Sequence, residues 1–391
     1  MSMASHFLKK LKFVFIQVIV LVIILELFSF VAIRWFHFGL PPKVYSTQFL
    51  PFFVDNDKTF GVWHYADTTT RHIGPCWNVE YQFNSYGARD DERQKVSDKK
   101  RIVFLGDSFI EGYGIDKEKR VSDLMEKNMN MECLNFGVSG SFGTTQMRLL
   151  YESKAKEFSH NAVVLSFFPF NDFLDDNYEF GKSFFYTQRR YRPYLVKDST
   201  KDYQLVYHVD ALEKSQAYPD SIPKRTAKDL LNDIYYSNRG IVGKTGALIN
   251  NFTYTGAMAE FIVNRMKFTQ SGTEQTYKSD VFSQKNTDAM DLFCHNVNKI
   301  KEMAGNKPVI VLLIPHPLDL MEYKKTGKSL LRDDLNKFGK SANIHVVDLL
   351  DAFAKLENPG EYFLPCDGHW SEKGNEFVAE VLQKKIQELN L

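Results

Sequence analysis

Ser108 is the residue of this chain whose position most directly suggests chemistry. It lies in the stretch VFLGDSFIEGYG, where an apolar run beginning at Val103 ends in Gly106-Asp107-Ser108. A serine hydroxyl becomes a nucleophile when a neighbouring base takes its proton, but Asp and Ser are also residue types that cap helices. The tripeptide leaves both roles open, so the decision depends on which side chains the fold brings to Ser108.

His369 and Asp367, in the stretch CDGHW near the C-terminus, can supply the base and its partner. An imidazole accepts a proton near neutral pH, and a carboxylate on its other nitrogen holds the tautomer that this requires. Spaced two residues apart, both side chains can converge from one short turn. His316, in LIPHP, is the weaker candidate for the base, because no carboxylate stands beside it in the sequence.

Acyl transfer also needs N–H donors for the developing oxyanion. The backbone N–H groups of Ser108 and Gly140 and the side-chain amide of Asn171 are the candidates. Gly140 has no side chain, so a substrate can approach its N–H closely. Each residue also has an ordinary alternative role, Gly140 in a turn and Asn171 as a loop cap.

Short apolar strands alternate with amphipathic helices from Arg101 onward, a pattern typical of a parallel α/β sheet. The carboxyl ends of parallel strands meet at one edge, where ligands bind. Each candidate catalytic residue follows a predicted strand. We therefore predict a three-layer α/β sandwich with a parallel sheet. Its predicted strands are RIVFL, ECLNF, AVVLSFF, PVIVLLI and IHVVDLL.

We predict a cytoplasmic N-terminus (1–12), a transmembrane anchor (13–33) and an irregular linker and extension (34–98). An α/β domain follows in two parts, 99–175 and 286–391, which are separated by a mixed α/β insertion (176–285). Within the insertion we expect two strand-like runs and helices near 225–237 and 245–267. The run FFYTQRRYRPY either grips an anionic glycan or forms an exposed hairpin face.

The N-terminal apolar run, residues 13–33, has the length of a bilayer-spanning helix. A cleaved signal peptide is the rival interpretation, but its apolar region would be shorter and followed by a small-residue cleavage site. Lys9, Lys10 and Lys12 precede the run, which places the N-terminus in the cytoplasm and the rest of the chain outside. Glu26 lies inside the run, where it either contacts a partner helix or snorkels toward water.

The overall composition excludes some classes of protein. A net charge of +1 argues against a nucleic-acid binder, which usually carries a basic excess.

Of the four cysteines, Cys133 and Cys294 lie in apolar patterns typical of buried thiols. Cys76 and Cys366 lie in loop-like stretches and can pair in an oxidising compartment, although the sequence does not fix their connectivity.

The set of motifs resembles the SGNH/GDSL hydrolases, which are named for their Ser, Gly, Asn and His residues. FLGDSF, NFGVSG, FPFND and DGHW match the four blocks of that family, and FNSYGARDDER resembles the segment that precedes the first block in many membrane-anchored members. The resemblance implies a flavodoxin-like SGNH fold with Ser108 as nucleophile, His369 as base, Asp367 as its partner, and Gly140 and Asn171 as oxyanion donors.

Many members space the last Asp and His as D-x-x-H, whereas this chain has D-x-H-W, like the subgroup resembling alginate O-acetyltransferase components. The resemblance implies an esterase or O-acyltransferase acting on acyl, chiefly acetyl, esters of a cell-surface polysaccharide or glycan. His316, which follows another predicted strand, and Trp370 are the residues that we expect to line the substrate site. We expect no metal and no organic cofactor. A multi-span membrane-bound O-acyltransferase is the expected partner if the reaction is transfer. The alternatives are a plain esterase or lipase on small or lipid esters, and a non-catalytic SGNH scaffold.

Overall fold

The fold is that of a computed structural model. The structure describes residues 3–45, 53–74, 76–184, 186–199, 202–221, 226–270 and 287–391. The chain divides into two compact units. The helical unit comprises Met1–Phe49, Ile73–Asn78 and Pro223–Gly272, and the α/β unit comprises Leu50–His72, Val79–Ile222 and Thr273–Leu391.

The strands and helices are numbered here in chain order. The strands are β1 (Phe53–Asp57), β2 (Gly61–His64), β3 (Thr69–Ile73), β4 (Asn78–Gln82), β5 (Arg101–Gly106), β6 (Glu132–Gly137), β7 (Ala162–Phe167), β8 (Pro193–Lys197), β9 (Tyr203–Tyr207), β10 (Val309–Leu313) and β11 (His345–Asp348). The helices are α1 (Met3–Arg34), α2 (Ser108–Glu111), α3 (Val121–Met129), α4 (Thr144–Ser153), α5 (Pro169–Asp175), α6 (Tyr178–Ser183), α7 (Ala227–Tyr235), α8 (Ile241–Phe252), α9 (Tyr254–Gln270), α10 (Thr287–Ala304), α11 (Pro317–Thr326), α12 (Leu330–Ala342), α13 (Leu349–Ala354) and α14 (Glu372–Glu388).

A five-stranded parallel sheet forms the centre of the α/β unit, in the order β11-β10-β7-β5-β6. Counted within the sheet, this is the doubly wound order 2-1-3-4-5, which confirms the predicted α/β fold with a parallel sheet. Every residue of β5, β7 and β10 is buried. Strands covered on both faces read as continuous apolar runs, and for this reason the sequence pattern identified them correctly.

The prediction of irregular structure over 34–98 is wrong for residues 53–82, which contain four strands, whereas residues 83–98 contain neither helix nor strand. β1 pairs with β2, and β3 pairs with β4. β4 alternates buried and exposed residues, with Val79 and Tyr81 buried, but five residues are too short a run to stand out as a strand. Residues 46–52 and 75 of the predicted linker lie outside the described residues.

The predicted insertion contains the expected antiparallel pair, β8 and β9. Its first strand is shorter than predicted, however, because residues 186–189 form a turn and β8 begins only at Pro193. Arg190 pairs with Asp55, and Arg192 lies 3.6 Å from the Asp175 carboxylate. Both arginines are at least 92% buried and already paired, so neither is free to grip an anionic glycan. Arg189 of the same run is exposed, and the glycan contact suggested for this run stays a prediction.

The helices of the insertion also differ from the prediction. The single helix expected over 245–267 is two helices, α8 and α9, separated at Thr253. The Thr253 hydroxyl accepts a hydrogen bond from the Gly256 N–H at 3.0 Å. This is the contact of an N-cap residue, so α9 begins after Thr253 as a new helix and does not continue α8. Residues 271–286 of the insertion lie outside the described residues.

Two further sequence questions concern the N-terminal helix and the cysteines. Within the described chain, one helix is long and apolar enough to cross a bilayer, Lys9–Arg34, with a mean hydropathy of 2.8. Cys76 and Cys366 are disulfide-bonded, whereas Cys133 and Cys294 are free.

Candidate active site

The turn between β5 and α2 presents Ser108 at the carboxyl end of the sheet. A Cβ on Gly106 would lie 2.2 Å from Ser166 Oγ and 2.3 Å from an Ile110 side-chain carbon, so only glycine fits there. The Asp107 carboxylate accepts a hydrogen bond from the Phe109 N–H at 3.1 Å and caps α2. Asp107 thus takes the capping role, and the Ser108 hydroxyl is free to engage another group.

Ser108, His369 and Asp367 form a hydrogen-bonded chain. Ser108 Oγ lies 2.7 Å from His369 Nε2, and His369 Nδ1 hydrogen-bonds to Asp367 Oδ1. The His369 and Asp367 side chains are 21% and 23% exposed, so small molecules can reach the site from solvent. The three predicted residues therefore lie together in the order nucleophile, base and carboxylate.

The electrostatics of Asp367 fix the tautomer of His369. Burial raises the pKa of Asp367, but the hydrogen bond and charge of His369 outweigh it and hold the pKa below its usual value. An ionised carboxylate only accepts hydrogen bonds, so His369 Nδ1 carries a proton. In the neutral imidazole, Nε2 then presents its lone pair to Ser108, as a general base requires.

Aromatic rings hold the His369 imidazole in place. Its centroid lies 4.8 Å from that of Phe109 and 4.7 Å from that of Tyr113. Tyr113 in turn packs edge-on against His72, at 4.5 Å. Burial lowers the pKa of His72 to about 4, so His72 is neutral at physiological pH and does not compete with His369 for Asp367.

The loop after β6 has a backbone that favours glycine at position 140. Gly140 has a φ of +94°, and a Cβ there would lie 2.6 Å from the Phe53 ring. Both features exclude a side chain. They leave the Gly140 N–H unshielded by a side chain of its own, which suits the predicted role as an oxyanion donor.

Glu111 fixes this loop to the nucleophile turn. Its Oε2 accepts a hydrogen bond from the Ser139 N–H at 2.8 Å and a second one from the Ser139 hydroxyl. Its Oε1 lies 2.9 Å from His64 Nε2, and both side chains are fully buried. His64 Nδ1 lies 2.8 Å from the Gly87 carbonyl oxygen and must donate to it.

Glu111→Ala tests whether this anchoring matters for catalysis. A methyl group cannot accept the hydrogen bonds of the Ser139 N–H and hydroxyl, so we expect the residue 139–140 loop to shift. Removing one oxyanion donor costs about 100-fold to 1000-fold in kcat, and we expect a loss of at least about 10-fold with little change in KM. The exposed Glu152→Ala is the matched control. An unchanged kcat would remove Glu111 from the set of positioning residues.

Asn171 lies in α5, beside the nucleophile turn. Burial raises the pKa of Asp107 to about 6, and the neighbouring Asn171 amide is among the groups that oppose this rise. Asn171 Oδ1 is buried and has no hydrogen-bond partner among the described residues. The amide thus contacts Asp107, the residue before Ser108, and its function as an oxyanion donor remains a prediction.

Four buried aspartates lie on this side of the sheet: Asp107, Asp172, Asp175 and Asp176. Burial is the main cause that raises the pKa of each of them. It raises the pKa of Asp175 to about 7, against the opposing charge of Arg192. Asp176 accepts hydrogen bonds from the N–H groups of Thr144 and Thr145 at 3.0 Å, which fixes the start of α4.

These raised pKa values predict that stability falls as the pH rises. The native state holds a proton on Asp175 up to about pH 7, whereas an unfolded aspartate loses it near pH 4, at about its model-peptide pKa. Ionising the buried group therefore destabilises the native state between these values. We expect Asp175→Asn to reduce the drop in Tm between pH 5 and pH 8, measured by thermal unfolding. The exposed Asp291→Asn should leave that drop unchanged, and an equal drop in Asp175→Asn would contradict the assignment.

The two residues predicted to line the substrate site have other roles. Trp370 is 1% exposed and packs against Phe109 with centroids 4.8 Å apart, so it belongs to the core and its predicted contact with substrate is wrong. His316 is the N-cap of α11, where its Nδ1 accepts from the Leu318 N–H at 3.2 Å. Its ring stacks on Phe170 at 4.5 Å, and burial lowers its pKa to about 4.

The segment FNSYGARDDER contributes a buried arginine that supports the nucleophile turn. Arg89 donates hydrogen bonds to the carbonyl oxygens of Glu111, Gly112 and Ile115 at 2.7–2.9 Å. Its guanidinium also lies 3.5 Å from the Tyr81 ring centroid. The carbonyls at the end of a helix lack partners within the helix, and Arg89 satisfies them for α2.

The sequence reasoning missed Glu111, His64 and Arg89. One signal for Glu111 was available, because a carboxylate three residues after Ser108 stands in the otherwise apolar run FIEGYG. No comparable signal marks His64, because His64 lies 47 residues before Glu111 in the sequence and the two meet only in the fold. Among the described residues, no group of His, Cys, Asp and Glu is arranged to hold a metal ion.

Comparisons with known proteins give only distant structural similarities. No family model and no curated protein matches the chain. A lipase/acylhydrolase from Enterococcus faecalis is 11% identical, with 74% of this chain and 96% of that chain covered and a TM-score of 0.35. A carbohydrate esterase family 2 enzyme from Corynascus thermopiles is 14% identical, with 77% and 69% covered and a TM-score of 0.36. A GDSL-like lipase from Bacteroides thetaiotaomicron is 10% identical, with 74% and 89% covered and a TM-score of 0.34. At these values, the conclusion about function depends on the geometry of the site.

Proposed function

We propose that this chain is a membrane-anchored serine esterase or O-acyltransferase of SGNH type. The observation that carries the proposal is the 2.7 Å contact between Ser108 Oγ and His369 Nε2, together with Asp367 on the other imidazole nitrogen. The sheet order and the placement of Ser108 at a strand end agree with it. A buried helix cap would not need an imidazole with a fixed tautomer aimed at its hydroxyl.

The reaction follows from the roles of these groups. His369 Nε2 takes the Ser108 proton as Oγ bonds to the ester carbonyl carbon, and the carbonyl oxygen becomes an oxyanion. The oxyanion collapses, the alkoxide leaves with the proton from His369, and an acyl-Ser108 remains. Water or a sugar hydroxyl then gives its proton to His369 and attacks the acyl carbon. The second collapse releases the acid or the new ester, and the proton returns to Ser108.

For the substrate, we favour an acetyl ester on a cell-surface polysaccharide or glycan. The D-x-H-W spacing of Asp367 and His369 supports this choice, through its likeness to the alginate O-acetyltransferase-like subgroup. Small or lipid esters are the alternative substrates. A non-catalytic scaffold is disfavoured, because the hydrogen-bonded chain from Asp367 to Ser108 is complete.

The test uses the full-length chain in detergent micelles, with acetyl, butyryl and octanoyl esters of p-nitrophenol and with an O-acetylated polysaccharide. We expect turnover of the acetyl ester and release of acetate from the polysaccharide, with falling activity as the acyl chain lengthens. Preference for the octanoyl ester would favour the lipase alternative. No turnover of any ester, with Ser108 unreactive to a fluorophosphonate, would favour the scaffold.

We also propose that α1 anchors the chain, with the N-terminus in the cytoplasm and the catalytic residues in the periplasm or outside. The apolar helix Lys9–Arg34 and the three lysines at its N-terminal end support this orientation. Acyl-CoA donors are cytoplasmic, so a transferase placed outside needs its acyl group carried across the bilayer. A multi-span membrane-bound O-acyltransferase is the partner that this topology requires.

The full-length chain alone should therefore hydrolyse acetyl esters but not acetylate a glycan from acetyl-CoA. Transfer should appear when the chain shares a membrane with such a partner. Glu26 is not the place to look for it, because the Glu26 carboxylate already accepts three hydrogen bonds from Tyr254 and Thr255 of this chain. The two roles predicted for Glu26, contact with a partner helix and snorkelling, are both corrected by these contacts.

A further inference from the structure

The helices α8 and α9 present apolar side chains that neither helix buries. No charged residue occurs between Lys244 and Glu260. Exposed apolar residues are found along both helices. They are Ile241 (83% exposed), Val242 (83%), Leu248 (41%), Ile249 (47%), Ile262 (37%), Val263 (47%) and Met266 (54%). So much exposed apolar surface on one pair of helices indicates an interaction site.

The start of α9 is fixed to α1 at Glu26. The Glu26 carboxylate accepts hydrogen bonds from the N–H groups of Tyr254 and Thr255, at 2.7 and 2.9 Å, and from the Thr255 hydroxyl at 2.8 Å. The first N–H groups of a helix have no partner within it, and a carboxylate there also interacts favourably with the helix dipole. The first turn of α9 is therefore at the same level along α1 as Glu26.

That level is well inside the apolar span. Glu26 precedes Arg34 by eight residues, or about 12 Å along a helix. The large apolar residues that follow Glu26 are exposed, with Leu27 at 60%, Phe28 at 62% and Trp35 at 68%. If the bilayer ended at Glu26, these side chains would all lie in water. We conclude that the hydrocarbon layer extends past Glu26 to the end of α1.

The helix pair follows α1 from this level toward the end of the apolar span. The Tyr254 hydroxyl accepts a hydrogen bond from Arg34 Nε at 2.9 Å. Seven residues later, or about 10 Å along α9, the Phe261 ring lies 5.3 Å from that of Phe38. At the other end, Gly256 packs directly on the Ile249 backbone, where a Cβ would come within 2.4 Å of the carbonyl oxygen. Such glycines allow close helix packing in membranes.

We propose that α8 and the first half of α9 are inserted into the hydrocarbon of the leaflet at the C-terminal end of α1, where lipid acyl chains cover their exposed apolar side chains. Helices satisfy their own backbone groups, as this environment demands, and Glu26 supplies acceptors for the first N–H groups of α9. The proposal rests on the membrane anchor of the proposed function. It makes α1, α8 and the first half of α9 a group of three helices inserted in the membrane, with Glu26 among them.

Depth-dependent fluorescence quenching of the full-length chain in liposomes tests the proposal. Cys294→Ser removes the partly exposed free thiol, since Cys133 is buried and the other two cysteines are bonded. Single variants Leu248→Cys, Met266→Cys, Val20→Cys and Val96→Cys then carry an environment-sensitive NBD probe. Phosphatidylcholine and phosphatidylglycerol vesicles contain lipids with a nitroxide deep in the acyl chain.

The four positions have different expected results. Leu248 should be quenched strongly, whereas Met266, about 18 Å further along α9 than Tyr254, should be quenched weakly. Val20 in the middle of α1 reports the anchor, and the exposed loop residue Val96 should not be quenched. Quenching at Val20 without quenching at Leu248 would contradict the insertion of α8 and α9 but would still support α1 as a membrane anchor. Absence of quenching at Val20 would overturn the anchor, and the inserted pair with it.

A second variant tests the role of Glu26. Glu26→Leu removes the acceptors for the first turn of α9, so we expect the quenching at Leu248 to fall by at least about half while that at Val20 persists. Unchanged quenching at Leu248 in this variant would show that Glu26 does not hold the pair at its depth.

Discussion

Ser108→Ala should lower the turnover of acetyl esters by about 10⁴-fold or more and abolish covalent labelling by a fluorophosphonate. The physical reason is that the triad acts as a unit, and loss of the nucleophile removes the acyl-enzyme route altogether. The 2.7 Å contact of Ser108 Oγ with His369 Nε2 makes Ser108 the expected site of the label. Labelled protein should be digested and the modified peptide mapped by mass spectrometry.

Ser341→Ala provides the matched control for this experiment. Ser341 is an exposed serine on α12, and its removal should leave both turnover and labelling unchanged. A label found on a serine other than Ser108, or one that persists in Ser108→Ala, would contradict the assignment of the nucleophile.

His369→Ala and His316→Ala should separate the two histidines, with the second largest effect expected for His369. Loss of the base should lower kcat nearly as much as the loss of Ser108, by about 10⁴-fold, with little effect on the free energy of unfolding. His316 caps α11, so its removal should cost about 1 kcal/mol of stability and leave kcat within a few-fold. Ester kinetics and urea unfolding of both variants measure the two effects.

The reverse outcome has a clear meaning. If His316→Ala removed activity and His369→Ala did not, the base would be His316, and Asp367 would have no partner in the reaction. His345→Ala, on the partly exposed β11, serves as the control for loss of an imidazole elsewhere in the α/β unit.

The central sheet and the chemistry of its edge could be predicted because both depend on short-range signals. β5, β7 and β10 are buried on both faces and appear as uninterrupted apolar runs. The candidate residues are then located by the ends of those runs. The types of Ser108, His369 and Asp367 define their possible roles, so the constellation follows once the parallel order is known.

The contacts that were missed depend on pairings between distant segments. Arg190 meets Asp55 across 135 residues, and Glu26 meets Thr255 across 229. A single carboxylate in an apolar helix indicates that it needs a hydrogen-bonding partner, but the sequence does not show which residue that partner is. Trp370 adjoins His369 in the sequence but is 1% exposed, because neighbouring residues on a turn can point into different environments.

The distance of 261 residues between Ser108 and His369 has a consequence for how the protein is made. During synthesis, the strand that carries the nucleophile leaves the ribosome long before the base has been translated. Chains fold in the order in which they emerge, so the nascent α/β unit has its serine in place but no base to activate it. The proposed esterase activity can therefore begin only after His369 has been added and folded into place, and a product that ends before His369 should be inactive toward esters.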